Sequence, residues 1–151
     1  MEIENYIVQN LVKQFNVAPD QVKVKRDRRI YVKVDKDIFL KVLDFAINNQ
    51  KFDILCTITG FDEGDTFGVM YHLAQEKGIM LNIKINIGKK NAILNTITGI
   101  FPNADIYERE LADLFGIKVE GLKDGIRYPL PDDWPEGQYP LRKDWKVGGN
   151  A

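Results

Sequence analysis

The chain is short of the residues that hold metals and close disulfides: its 151 residues include one cysteine, Cys56, and one histidine, His72. A single thiol excludes an internal disulfide. Iron–sulfur clusters and structural zinc take four ligands drawn mainly from Cys and His, so no cofactor is expected in this chain. Neither a Gly-x-Gly-x-x-Gly pattern nor a phosphate loop occurs, which leaves nucleotide binding without support. No apolar window approaches the roughly 18 to 20 residues that span a bilayer, and the start, Met1-Glu-Ile-Glu-Asn5, lacks the basic and apolar regions of a signal peptide. The expectation is a cytoplasmic protein with no direct membrane insertion. Neither sign of charge is in excess, since 21 Lys and Arg face 22 Asp and Glu, for a net charge of −1 and a pI of about 5.9. No overall field draws in nucleic acid or anionic lipid.

With 44% hydrophobic and 28% charged residues in 17.4 kDa, what is present suits a soluble domain able to close one core. Tyr6, Ile7, Leu11 and Phe15 recur near helical spacing and predict a first helix over residues 4–15, ended by Ala18-Pro19-Asp20. Val22–Arg26 and Arg29–Val34 alternate apolar and polar around Asp27, the pattern of a β-hairpin. A second helix is expected from Asp35, with Phe39, Leu40, Val42, Leu43, Ala46 and Ile47 on a wide apolar face and Asn48-Asn49 at its end. Strands follow over Phe52–Phe61, Thr66–Ala74 and Ile79–Ile87, joined by short turns. Cys56, within Ile54-Leu-Cys-Thr-Ile58, reads as a buried small hydrophobe. A further helix is expected from about Asn91 to Ile100, then another that Asn103 can cap and Gly116 can end. The fold class is therefore α+β, in two layers, with a mixed or mainly antiparallel sheet and helices on one face. Four prolines from Pro129 to Pro140 predict an extended tail, so the expected division is a core domain, 1–119, and a tail, 120–151.

Two segments hold most of the functional signal: Tyr107-Glu-Arg-Glu-Leu-Ala-Asp-Leu-Phe-Gly116 and Pro140-Leu-Arg-Lys-Asp-Trp145. At about 100° per residue, Tyr107, Leu111, Leu114 and Phe115 share a stripe that should pack on the sheet, with Glu108 and Glu110 on opposite borders. Two carboxylates so placed cannot converge on one bond, which argues against paired acid/base catalysis. Glu110, flanked by Ile106 and Leu114, is the carboxylate expected to need a cation, from Arg127, Arg142, Lys143 or another chain. The alternative is a solvated helix edge with an Arg109–Asp113 surface pair. In the tail, Arg127, Tyr128, Trp134, Tyr139, Arg142, Lys143 and Trp145 occupy a proline-stiffened frame suited to an interface with another protein. The alternative there is a strap folded back on its own domain.

Glu108-Arg-Glu110, Asp113-Leu-Phe-Gly116 and Pro140-Leu-Arg-Lys-Asp144, with Tyr71-His72-Leu73 upstream, resemble the signature of the NADH dehydrogenase (complex I) 30 kDa subunit family. That family is shared with small subunits of energy-converting, membrane-bound nickel–iron hydrogenases, and the likeness covers about residues 30–145. The resemblance implies a non-catalytic α+β subunit on the cytoplasmic face of a membrane-bound oxidoreductase complex. Its implied partners are a large hydrogenase-like subunit of the complex I 49 kDa type and a neighbouring iron–sulfur subunit. Those partners would carry the iron–sulfur clusters and the nickel–iron or quinone site. The implied partner interface comprises Glu108, Arg109, Glu110, Asp113, Gly116, Arg127, Trp134, Pro140, Leu141, Arg142, Lys143 and Asp144. Complex I members usually have His-Pro after the glycine matching Gly121 and Gly-His before Pro-Leu-Arg-Lys-Asp. This chain has Leu122-Lys123 and Gln138-Tyr139 there and ends soon after Trp145, departures that favour the hydrogenase branch.

Two rival functions have some footing in the residues. Lys23, Lys25, Arg26, Arg28 and Arg29 make a basic hairpin that could meet nucleic acid, but the slightly acidic total and the lack of stacking aromatics on those strands argue against it. A small hydrolase would have to use Glu110 and His72. His72 alternates with Tyr71 and Leu73 in an expected strand with no Ser or Cys at catalytic spacing, which favours a structural histidine.

Overall fold

A computed structural model describes residues 2–147. Helix α1 (Glu2–Phe15) has Glu2 and Glu4 in its first turn and Lys13 in its last, complementing the helix dipole, and buries Ile7 and Leu11. Strands β1 (Val22–Arg26) and β2 (Arg29–Lys33) form the expected antiparallel hairpin, with a bulge between Val24 and Arg26. Helix α2 (Lys36–Gln50) follows Asp35 and ends on Lys51 in the left-handed conformation, two residues beyond the expected Asn48-Asn49 end. Strands β3 (Ile54–Asp62), β4 (Thr66–Ala74) and β5 (Met80–Gly88) come next. The order across the five-stranded sheet is β1-β2-β5-β4-β3, and β2 pairs with β5 in parallel, so the sheet is mixed. The α+β class expected from the pattern is the class observed.

Two local expectations fail. Cys56 is exposed, on the opposite side of β3 from its buried neighbour Leu55. Residues 91–100 do not form a helix: a 3-10 turn over Lys89–Asn91 leads into the short strand β6 (Ile93–Asn95). Strand β6 pairs in parallel with β7 (Lys118–Glu120), which follows helix α3 (Ala104–Phe115). The apolar spacing of Ile93 and Ile97 suits a helix, but Ile93, Thr96, Ile97 and Thr98 are β-branched, and a strand partner distant in sequence decides the outcome.

The chain falls into two compact units, Met1–Thr57 with Met70–Asn86, and Ile58–Val69 with Ile87–Ala151. In the first, α1 and α2 cover one face of the sheet; Leu11, Ile30, Leu43, Tyr71, Leu81 and Ile83 lie fully inside, and the Phe39 and Tyr71 rings stack 4.3 Å apart. His72 points to the opposite face, where its Nδ1 lies 2.6 Å from Asn82 Oδ1 while Asn82 Nδ2 donates to the Ile30 carbonyl. The hairpin's charges do not act together. Lys23 and Lys25 alternate onto that open face, Arg28 donates its backbone N–H to buried Glu4, and the Arg29 guanidinium turns to the Arg28 carbonyl. The second unit holds α3, the β6–β7 pair and the tail.

Candidate partner interface

The two segments singled out in the sequence meet each other inside the second unit. Helix α3 ends on Gly116, whose φ of +69° favours a residue without a side chain; an added Cβ would also fall 2.5 Å from Tyr139 and 2.8 Å from the Arg142 guanidinium. A helix end leaves its last carbonyls unpaired, and here the tail supplies the donors. Leu141 donates its backbone N–H to the Leu114 carbonyl at 3.1 Å, and Arg142 Nε donates to the Phe115 carbonyl at 2.6 Å. The Arg142 guanidinium then lies over the rings of Phe67 and Tyr139, with its charge at the negative end of the helix dipole.

One residue further on, Lys143 donates its backbone N–H to Asp62 Oδ2 at 2.8 Å. Asp62 is buried at the end of β3 and also accepts from Lys89 Nζ at 2.6 Å and from the Gly64 N–H. Burial acts to raise its carboxyl pKa, but Lys89 and the two backbone donors outweigh it and bring the group down from 3.8 to about 2.

The α3 charges also pair inward. Arg109 reaches Asp105, four residues earlier, with two bonds of 2.8 and 3.0 Å, and its Nη2 donates to the Lys123 carbonyl at 2.9 Å. The Arg109 hydrogen bonds hold the Asp105 carboxyl below its ordinary range. Asp113 accepts from Arg127 Nε at 2.7 Å and from the Leu130 N–H at 2.9 Å, and Arg127 Nη1 reaches the Trp134 carbonyl. The expected Arg109–Asp113 pair is thus replaced by Arg109–Asp105 and Asp113–Arg127, because the tail delivers a second arginine to the outer face of α3. Trp134 and Trp145 lie 6.1 Å apart and both donate their indole N–H to Gln138.

The carboxylate that enters the interior is Glu108, not Glu110. The buried stripe of α3 is Ala104, Glu108, Leu111 and Phe115, rotated from the expected one, with Tyr107 and Leu114 only half-buried. Gly60 on β3 permits this approach, since a Cβ there would lie 2.7 Å from both Leu111 and Phe115. Glu108 is 1% exposed; its Oε2 accepts from the Thr96 hydroxyl at 2.5 Å and its Oε1 from the Ile97 N–H at 2.7 Å. Burial raises its pKa above 4.5, opposed by those two donors and reinforced by the Asp105 charge. Glu108 therefore holds the connection before α3 and presents nothing to an external partner. The i, i+4, i+7, i+11 spacing of that stripe was readable, but a carboxylate is seldom assigned to a core face. Asn103 sits at the N-cap position with no side-chain capping bond.

Glu110 is half-buried with no ion pair among the described residues. The Leu141, Lys143 and Asp144 side chains face outward, and Pro140 is half-buried. Ile106, Ile126 and Tyr128 add exposed apolar surface, Ile126 being 83% exposed. A cleft of about 460 Å³ lies between α3 and the loop after β7, lined by Arg109, Asp113, Ile126, Arg127, Tyr128 and Tyr139. Among the described residues no group of three or more His, Cys, Asp or Glu side chains could hold a metal ion. No helix is long and apolar enough to cross a membrane, again among the described residues.

The fold and this site define a small α+β protein whose polar side chains in the second unit seat a tail against a helix end. Residues 32–151 match the family of the respiratory-chain NADH dehydrogenase 30 kDa subunit, and the chain belongs to that family. It is 29% identical over 143 residues to one of the subunits that make up the F420H2 dehydrogenase of Methanosarcina mazei, covering 93% of this chain and 90% of that protein. It is 31% identical to the membrane-bound hydrogenase subunit beta of Pyrococcus furiosus, covering 78% of this chain and 70% of that one. Among solved structures it resembles a chain of the membrane-bound sulfane sulfur reductase, an archaeal respiratory membrane complex, with a TM-score of 0.79 and 29% identity over 95% of this chain and 85% of that chain.

Proposed function

We propose that the protein is a non-catalytic accessory subunit of a membrane-bound oxidoreductase complex of the hydrogenase or complex I type, held at the cytoplasmic face of the membrane by its partners. The redox centres, iron–sulfur clusters with a nickel–iron or quinone site, reside in those partners. Its docking surface for a large hydrogenase-like subunit and a neighbouring iron–sulfur subunit is the outer side of α3 and the tail.

The observation that carries this reading is Ile126. It is 83% exposed, yet the segment bearing it is pinned on both sides, by Arg109 to the Lys123 carbonyl and by Arg127 to Asp113. A large apolar side chain held outward on a pre-ordered loop loses little entropy on burial in a partner, the property of an interface anchor. Tyr128 lines the same cleft, Leu141 and Ile106 are further exposed apolar side chains of α3 and the tail, and Glu110, Lys143 and Asp144 are the polar groups on those elements. Arg109, Asp113, Gly116, Arg127, Trp134, Pro140 and Arg142 shape the surface from behind, while Glu108 belongs to the core beneath it.

Tagged chain purified from native membranes should bring down a large hydrogenase-like subunit, and Ile126→Asp/Leu141→Asp should lower the yield at least about tenfold. The isolated variant should unfold at an unchanged temperature, since both side chains are exposed. Undiminished recovery with the variant, or no large subunit with the natural chain, would contradict the proposal.

A further inference from the structure

The open face of the sheet in the first unit takes no part in the α3–tail surface. It carries a cavity of about 450 Å³ bordered by Lys23, Lys25, Lys33 and Lys84 around Tyr31 and Asn82, with Asp20 the one carboxylate in its lining. The strand register arranges these groups in rows: Lys23 stands opposite Tyr31, Tyr31 opposite Asn82, and Lys33 opposite Lys84. Lys23 and Lys33 are exposed and have no ion pair among the described residues, and Lys25 Nζ lies 4.6 Å over the Tyr31 ring. Asn82, only 2% exposed, is held at the centre by His72 and the Ile30 carbonyl. The surrounding unit is basic, with twelve Lys and Arg against nine Asp and Glu, whereas the other unit has nine against thirteen.

The form of this face selects the anion. No arginine fork, glycine loop or helix N-terminus lines it, so a compact phosphate finds no concerted seat. Its aromatic, the half-buried Tyr31, is already covered by Lys25, which leaves no platform for a nucleobase. The lysines are spread over three strands about 4.8 Å apart, and separate ammonium groups on flexible stems suit carboxylates spaced along an extended chain. We propose that this face docks an acidic, extended segment of another protein.

The test is a titration of the ¹⁵N-labelled full chain with a synthetic oligoglutamate peptide, in parallel with oligoglutamine, inorganic pyrophosphate and a single-stranded oligonucleotide. The oligoglutamate should shift the amides of Lys23, Tyr31, Lys33, Asn82 and Lys84, bind more weakly as salt rises, and lose at least about tenfold in affinity with Lys23→Glu/Lys33→Glu. Lys23→Gln/Lys33→Gln should give an intermediate loss with an unchanged fold. Shifts confined to other regions, an unchanged affinity in the double variants, or tighter binding of pyrophosphate or oligonucleotide on this face would overturn the assignment. The measurement requires no partner complex, so its outcome is separate from that of the α3–tail docking experiment.

Discussion

The first unit closes its core with apolar side chains from two helices and a sheet, whereas the second draws its tail in with hydrogen bonds from charged groups to backbone. Leu11, Ile30, Leu43 and Leu81 are interchangeable in kind: any well-packed aliphatic set would serve the first unit. Asp62, Asp113, Arg127 and Arg142 are not, because each satisfies named donors or acceptors of the tail or of the α3 end. A segment with seven prolines and glycines from Gly121 to Pro140 cannot supply a regular ladder of its own, so its order is borrowed from α3 and the β3–β4 turn. Charged side chains can therefore be numerous in a functional region and still be structural.

The largest effect that would sharpen this contrast is expected from Gly116→Ala. The left-handed backbone and the contact with Tyr139 and Arg142 together should cost about 3 kcal/mol in denaturant unfolding of the tail and α3. Amides of α1 and α2 should keep their exchange protection; if they lose it equally, the contrast between the units is wrong. Asp62→Ala removes the acceptor for Lys89, Gly64 and Lys143 and should cost about 2 kcal/mol, with early loss of protection at the Lys143 amide.

Acid should reproduce that loss in the natural chain. Because the folded carboxyl of Asp62 lies near 2, below its ordinary 3.8, its contribution is fully present above that ordinary value and disappears as pH falls through about 2. Glu108 has the opposite sign. Its folded pKa lies above 4.5, so stability declines as pH rises from 4.5 through the raised value, and Glu108→Gln should flatten that part of the profile measured by denaturant midpoints. The smallest effect belongs to Lys23→Glu on the open sheet face, expected to shift unfolding by no more than about 0.5 kcal/mol. A larger loss would mean that this face stabilises the first unit by itself.

Much of the fold was legible. The hairpin alternation of Val22–Lys33, the apolar face of α2 and the glycine that ends α3 each act within a few residues, where period and backbone freedom decide the form. Residues 91–100 are ambiguous in sequence, since Ile93 and Ile97 fit two periods and the partner that selects a strand, Lys118–Glu120, lies beyond an entire helix. The exposure of Cys56 is hidden in sequence because an apolar run states hydrophobicity without stating which face of a strand is covered. The signature segments were visible as a pair, but the side chains that join them were not, as Arg109 had acidic neighbours at both i−4 and i+4.

By itself, then, the amino-acid order determined the class of the fold, the scarcity of metal-binding side chains and the two segments that mark the family, all properties of local period, composition and residue identity. Only the tertiary structure decided that Glu108 goes inside, that Asp113 takes Arg127, and that Arg142 meets the Phe115 carbonyl. Those choices depend on which groups the folded chain brings within about 3 Å of one another, a distance that spacing along the sequence does not encode.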